Sequence, residues 1–179
     1  SLLPVPRLTQ MGRCDVTQDE VADRLAIADK LYKYCRSVDR LDVTLGHTVF
    51  HEDSHADFPT YQGPGRGWID AVCEAHLDFL HHSHQVTNVI IDLHGDDKAG
   101  SEAYVTAKLR QLHEGKLIER EFCARYVDLW SKRGGEWAID RRQCIVDFSA
   151  IRDVTSLGED ASAARNASDP SYAVLKGLP

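Results

Sequence analysis

The hydrophobic pattern of this chain changes its period once, near His82, and this change limits the possible folds more than any other feature. Before it, apolar residues recur every three or four positions, and after it come four segments typical of β-strands. These segments are residues 84–94, 101–113, 118–131 and 136–148. Short turn sequences separate them, so neighbouring strands are expected to run antiparallel, because parallel neighbours need long crossovers. Helices followed by a run of strands predict an α+β fold.

The residues before His82 carry the helical pattern. Thr17 followed by Glu20 is a capping-box pair, which satisfies free amides at a helix start, and the apolar positions behind it predict a helix of about five turns. A second, short helix is predicted over 41–49 and a third over 68–80. We expect a cone-shaped α+β barrel, with three N-terminal helices packed on a curved antiparallel sheet and a small-molecule pocket at the open end.

One domain is expected, with an extension at each end. The 179 residues are enough for a single domain with a sizeable core. Residues 1–16 hold two prolines and no sustained period, and are interpreted as an N-terminal arm. Residues 17–148 form the α+β domain. Residues 149–179, rich in Ser, Ala, Asp and Gly, are interpreted as a C-terminal tail that lies over the domain or a partner.

The charge balance and the cysteines exclude several classes of partner and compartment. The 21 Lys and Arg against 28 Asp and Glu give a net charge of -7, which disfavours nucleic acid and anionic membrane surfaces. No run approaches the roughly 20 apolar residues of a membrane helix, and the N-terminus lacks the apolar core of a signal peptide. The five cysteines form no C-x-x-C pair, which is typical of reduced thiols and predicts a cytoplasmic location.

Asp39 and His84 are the leading candidates for chemistry. Asp39 stands where the first helix ends, and His84 stands at the entry to the first long strand. Alone, each is more often a helix cap, a solvated charge or a structural histidine. Together they can act as a general base, because a carboxylate that accepts from one ring nitrogen fixes the tautomer and increases the basicity of the other. Without a nucleophile elbow or phosphate loop, proton abstraction and elimination are the expected chemistry.

A metal site is the alternative use of the histidines. His47, His51 and His55 are four residues apart, and two imidazoles at that spacing on a helix can share a zinc ion. The helix is expected to end near His51, and no cysteine is near, so no metal site is predicted. His55 is instead expected to reach the rim of the pocket and contact the substrate.

Five short motifs follow one another over about residues 17–148. They are Y-K-Y-C-R-S-V-D-R-L-D, F-H-E-D-S-H-A-D-F, H-S-H-Q-V-T-N, R-Y-V-D-L-W and G-G-E-W-A-I-D-R-R. Their order and spacing resemble the SnoaL-like branch of the nuclear transport factor two-like superfamily. That branch includes polyketide cyclases, scytalone dehydratase and lindane dehydrochlorinase. In its dehydratases and the dehydrochlorinase, a helix-end Asp and a strand-entry His form the catalytic pair, so the resemblance implies that role for Asp39 and His84, without a cofactor.

The resemblance implies two further site residues. Tyr34 precedes Asp39 by five residues, as does a catalytic tyrosine of bile-acid dehydratase, although a tyrosine simply packed on the sheet is the alternative. Arg142 aligns with a cavity-facing position on the last strand, where a guanidinium could hold an oxyanion, and Arg141 would then face outward. Ala107 stands near the position of the second catalytic histidine of scytalone dehydratase, which argues against a two-histidine mechanism.

Several aromatic side chains are expected to line the pocket, although they could equally form the core. Those taken as substrate-binding candidates are Trp68, Tyr104 and Tyr126. The outer face of the sheet mixes polar and apolar residues, which predicts a homo-oligomer, a dimer or a trimer.

The function that these residues predict is that of a cofactor-independent lyase or isomerase acting on a hydrophobic, aromatic small molecule. The lyase would be a dehydratase, a dehydrohalogenase or a retro-aldol enzyme that releases formaldehyde. A non-catalytic ligand-binding or dimerising module is the first alternative, because this superfamily contains both kinds of protein. The small subunit of a ring-hydroxylating dioxygenase is the second. An Asp39–His84 contact inside a pocket would favour the enzyme.

Overall fold

The computed structural model describes residues 16–155 and 163–175. The helices are α1 (Gln18–Arg40), α2 (Val43–His47), α3 (Gly65–Ala75) and α4 (Ser171–Val174), and a 3-10 turn (His76–Asp78) follows α3. The strands are β1 (Phe50–Phe58), β2 (Tyr61–Pro64), β3 (His81–Leu93), β4 (Lys98–His113), β5 (Lys116–Arg133) and β6 (Glu136–Asp153). Except for Val16, the arm expected over 1–16 lies outside the described residues, as do positions 156–162 and 176–179 of the expected tail.

The strands form one six-stranded sheet in the order β2-β1-β6-β5-β4-β3. The α+β class is confirmed, and β3 to β6 form the antiparallel meander that the short turns predict. The sheet is mixed rather than purely antiparallel, because β1 pairs in parallel with β6. It is also open rather than closed into a barrel, since β2 and β3 form its two edges.

The first helix begins and ends where its sequence dictates. The Thr17 hydroxyl accepts from the Glu20 amide at 3.2 Å, and the Thr17 amide donates to the Glu20 carboxylate at 2.7 Å, which completes the expected capping box. The helix ends at Leu41, which adopts a left-handed conformation with a φ of 54°. Asp39 therefore lies in the last turn of α1, close to the start of β3.

The core lies between the helices and one face of the sheet. Helix α1 contacts β3 and β6, and α3 contacts β1 and β2. Fully buried core side chains from both layers include Ile27, Leu31, Val38, Phe50, Ile69, Trp130 and Ile139. Burying these apolar side chains is the main contribution to stability, and it holds the end of α1 against β3.

The last described segment, residues 163–175, covers the end of α1. Arg36 donates to the Ser171 hydroxyl at 3.0 Å, and the Tyr172 hydroxyl donates to Asp42 at 2.9 Å. This part of the expected tail therefore lies over the domain.

The outer face of the sheet, opposite the helices, carries exposed apolar side chains that include Tyr104 and Phe148. The homo-oligomer expected from this face stays a prediction. No helix among the described residues is both long enough and apolar enough to span a bilayer.

Candidate active site

A cavity of about 240 Å³ opens between the β1–β2 connection, α3 and the inner face of the sheet. Its wall is mostly apolar, and its polar side chains are few, which is typical of a small-molecule site. The lining residues that bear on function are Tyr34, Phe58, Trp68, His76, His84 and Tyr126. The structure therefore brings four of the expected site residues, from α1, α3, β3 and β5, to one cavity.

Asp39 and His84 are in direct contact. The Nδ1 atom of His84 lies 2.7 Å from Oδ1 of Asp39, and the backbone amide of His84 donates to both carboxylate oxygens at 3.0 and 3.1 Å. The side chains are only 9% and 15% exposed, so water competes little for these bonds. Because an ionised aspartate can only accept, Nδ1 is the donor in this bond, and in the neutral imidazole Nε2 keeps its lone pair.

Tyr34 presents a hydroxyl that is prepared to donate. Its oxygen accepts a hydrogen bond from Nε1 of Trp68 at 2.8 Å, and its own proton, which meets no acceptor among the described residues, can be donated. Burial raises the pKa of Tyr34 above its ordinary value, and the phenol therefore stays protonated. Trp68 is held by stacking on Phe58, with ring centroids 3.7 Å apart and an interplanar angle of 17°.

Arg142 points inward as expected, but it does not line the cavity. Asp128, opposite it on β5, accepts from Nε at 2.8 Å and from Nη2 at 2.7 Å, and both side chains are fully buried. Burial alone would lower the pKa of Arg142. The charge and hydrogen bonds of Asp128 have the larger combined effect and keep that pKa above its ordinary value. Arg142 is therefore not placed to hold a substrate in this cavity, because its guanidinium is paired with Asp128 in the core.

The Arg142 guanidinium supports the cavity from behind. It lies 4.2 Å from the ring centroids of both Tyr34 and Tyr126, within the range of cation–π contacts. Both tyrosines also line the cavity. Arg142 and Asp128 thus fix the wall of the cavity, and Asp128 is a residue that the sequence reasoning missed.

Two other expected substrate contacts lie away from the cavity. Tyr104 is 43% exposed on the outer face of β4, because it alternates with the inward-facing Ala103 and Val105. His55 is exposed on β1, in the segment that pairs with β2. Neither side chain lines the cavity.

His76 is a cavity residue that the sequence reasoning missed. It forms the first position of the 3-10 turn after α3, and it is 6% exposed. Its ring lies 5.7 Å from the ring of His84 and 4.7 Å from that of His82. The only sequence signal was the nearness of His76 to the histidine-rich entry of β3.

The described residues contain no cluster of three or more His, Cys, Asp or Glu side chains arranged to hold a metal ion. His47, one of the regularly spaced histidines, instead contacts Asp70 at 2.8 Å on the surface. His51 contacts the backbone carbonyl of Ser131 at 3.0 Å.

The sequence profile of the SnoaL-like domain family matches residues 19–143. The chain belongs to this family. The match includes both Asp39 and His84 and ends just beyond Arg142. No curated protein matches the sequence significantly.

Several solved structures share the fold over most of their length. A candidate scytalone dehydratase from Novosphingobium aromaticivorans is 21% identical, with a TM-score of 0.68 over 81% of this chain and 99% of that one. The hexachlorocyclohexane dehydrochlorinase LinA-type3 from Novosphingobium barchaimii is 15% identical, with a TM-score of 0.66 over 79% and 97%. A protein of unknown function from Mycobacterium tuberculosis is 22% identical, with a TM-score of 0.59 over 88% and 91%. At these identities the likeness extends to the fold alone.

Proposed function

We propose that the protein is a cofactor-independent lyase or isomerase that acts on a hydrophobic small molecule. The observation that supports this most is the 2.7 Å contact of His84 with Asp39 at the wall of an apolar cavity. A ligand carrier needs an apolar cavity, but it has no need of a buried carboxylate that fixes the tautomer of a cavity histidine. The geometry therefore favours an enzyme over a carrier.

In the proposed reaction, Nε2 of His84 removes a proton from a carbon of the bound substrate. Asp39 holds the ring in place and stabilises the imidazolium that forms, as a carboxylate does beside any catalytic histidine. The electron pair of the broken C–H bond forms a double bond, and a leaving group such as water or halide departs with its own bonding pair. The Tyr34 hydroxyl, whose oxygen is held by Trp68, donates to a substrate oxygen.

The substrate class follows from the cavity. Its wall includes Phe58, Trp68 and Tyr126, and aromatic walls favour flat, apolar ligands. Its volume of about 240 Å³ suits a molecule of one or two rings. The named relatives, a candidate dehydratase and a dehydrochlorinase, are in keeping with elimination chemistry.

A panel of compounds tests this function. Each member carries an acidic C–H next to an sp3 carbon that bears hydroxyl or halide, in an alicyclic ring or beside an aromatic ring, and products are identified by mass spectrometry. For any compound turned over, His84→Ala is expected to lower kcat by about 10²–10⁴-fold, because that is the typical contribution of general acid–base catalysis. Asp39→Asn is expected to lower it as well, because an amide can donate to Nδ1 and favour the wrong tautomer.

His47→Ala is the matched control. His47 contacts Asp70 at 2.8 Å, a histidine–aspartate pair of similar length that does not line the cavity. The turnover of the His47→Ala variant is expected to equal that of the wild type. Undiminished turnover in His84→Ala would contradict the proposal. Aromatic ligands that bind but are never converted would favour the carrier instead.

A further inference from the structure

The cavity contains a second buried histidine, His76, whose surroundings differ from those of His84. Asp39 fixes the tautomer of His84, whereas Nδ1 of His76 is buried and has no hydrogen-bond partner among the described residues. A buried polar atom without a partner is rare in native proteins, and it often marks a place that a ligand or water completes. Within the part of the chain that the structure describes, no acceptor therefore dictates which ring nitrogen of His76 carries the proton.

The backbone and the ring of His76 are nevertheless held in place. The carbonyl of His76 accepts from Nη1 of Arg165 at 2.8 Å and from the amide of Phe79 at 3.2 Å. The Phe79 ring packs edge-on against the His76 ring, with centroids 5.3 Å apart. The ring thus has a fixed position at the cavity wall and an open hydrogen-bonding capacity, a combination suited to binding a ligand.

His76 is also kept neutral. Burial lowers its pKa to about 4, and the nearby His84 and Arg165 add to this effect. A neutral imidazole has one N–H and can donate a single hydrogen bond without carrying charge. Such a ring can polarise an oxygen atom without competing with His84 as a base.

We propose that His76 is a catalytic residue that donates a hydrogen bond to a substrate carbonyl oxygen, adjacent to the carbon that His84 deprotonates. The rings of His76 and His84 lie 5.7 Å apart, with an angle of 21° between their planes, and both line the same cavity. This spacing lets the two rings meet neighbouring atoms of one substrate. The inference rests on the proposed function, and it narrows the substrate class to hydrophobic carbonyl compounds with an acidic α-C–H.

The proposed step balances without any further reactant. The proton of the α-carbon moves to Nε2 of His84, and the C–H electron pair forms a carbon–carbon double bond. The carbonyl π pair moves onto oxygen, which becomes an enolate that accepts the N–H of His76. When the carbonyl re-forms, the electron pair returns either to expel a leaving group from the β-carbon or to take up a proton again at carbon. The hydrogen bond of His76 strengthens as charge develops on the oxygen, which is the requirement for catalysis.

Two measurements on the full chain test this step. The first is exchange of the α-protons of 2-tetralone, a hydrophobic aromatic ketone, in D₂O, followed by NMR. The second is the affinity for 4-nitrophenol, an enolate mimic whose binding requires no reaction at carbon. His76→Phe preserves a ring but removes the donor, and it is expected to lower the kcat of exchange about 10²–10³-fold. It is also expected to weaken nitrophenol binding by about 10–100-fold.

Two variants serve as controls. His76→Gln supplies an amide N–H and is expected to recover part of both losses. His82→Gln changes the other buried histidine, whose ring packs 4.7 Å from that of His76 but does not line the cavity, and it is expected to behave as wild type. Circular dichroism of each variant checks that the fold is retained.

The outcomes separate the two proposals. If His76→Phe shows wild-type exchange and wild-type nitrophenol affinity, the role of His76 is overturned. If His84→Ala loses exchange in the same experiment, the proposed function is left intact. Exchange in His84→Ala as fast as in the wild type would overturn the proposed function, while the nitrophenol measurement still tests His76. A wild-type protein that binds no nitrophenol, or a His82→Gln variant as impaired as His76→Phe, would also overturn the inference.

Discussion

At the scale of single residues, the site shows how surroundings assign different tasks to the same side chain. Asp39 accepts a hydrogen bond from Nδ1 of His84, so in the neutral ring Nε2 is the acceptor. His76 has no such carboxylate and stays neutral, which leaves it able to donate. Arg142 is charged and inward-facing, yet Asp128 uses two of its donors, so it supports the cavity wall instead of binding a ligand.

The Asp128–Arg142 pair yields a prediction about stability. Asp128→Asn leaves the Arg142 charge buried without its counter-charge, and it is expected to lower the free energy of unfolding by about 3–5 kcal/mol. Asp147→Asn is the control, because Asp147 also receives two donors, from Arg125, but at the partly exposed outer face. That change is expected to cost less than about 1 kcal/mol. Urea denaturation measures both, and equal losses would contradict the account.

Residue-scale features differ in how well the sequence predicts them. Asp39, His84 and Tyr34 could be selected because they stand at positions within recognisable motifs, near the end of a helix with a clear cap and the start of a strand. Asp128 could not be selected from the sequence, because its pairing with Arg142 depends on the register of β5 against β6. That register is set partly by an irregularity near Leu129. His76 could not be selected either, because the orientation of its side chain depends on the 3-10 turn that follows α3.

At the scale of elements, the local signals predicted most of the chain. The capping box defined the start of α1, and the turn sequences separated β3, β4, β5 and β6, with ends that differ from the predicted ones by a few residues. Strand β1 has a polar run near its start, His51, Glu52 and Asp53, which gives no apolar alternation. Its partner, β6, lies far away in the sequence, and no local pattern can reveal a parallel pairing of that kind.

The junction of the 3-10 turn with β3 makes stability depend on pH. The pKa of His76 is lowered to about 4 and that of His82 to about 3, and burial is the main cause of both shifts. In the unfolded chain a histidine titrates near about pH 6.5, so below that pH the unfolded state binds protons that the native state does not. The stability conferred by the neutral rings is therefore complete above about pH 6.5 and is lost progressively as the pH falls through about 4.

Urea denaturation at a series of pH values checks this prediction. Between about pH 7 and pH 4, His76 is expected to account for a loss on the order of 3 kcal/mol in the free energy of unfolding. Replacing both rings by phenylalanine, in His76→Phe/His82→Phe, is expected to flatten the profile in this range, because neither position can then bind a proton. A profile that keeps its full slope in the double variant would contradict the assignment to these two histidines.

At the scale of the whole molecule, the fold brings distant parts of the sequence to one cavity. Helix α1 supplies Tyr34, α3 supplies Trp68, the turn after it supplies His76, and β3 supplies His84, whose Nδ1 contacts Asp39 at the end of α1. The α+β class follows from the order of helices and strands. That order does not predict the open, mixed sheet, nor does it predict which aromatic residues face inward. Both depend on how the helical layer packs on the sheet.

The central claim is that Asp39 fixes His84 with a free nitrogen facing a ligand cavity. The most direct test is ¹⁵N NMR of the histidine side chains at neutral pH, with His84→Gln used to assign the signals. The account predicts that Nδ1 of His84 carries the proton, that Nε2 is unprotonated, and that the Nε2 signal shifts when 4-nitrophenol fills the cavity. A proton on Nε2, or an Nε2 signal that saturating ligand leaves unchanged, would contradict it.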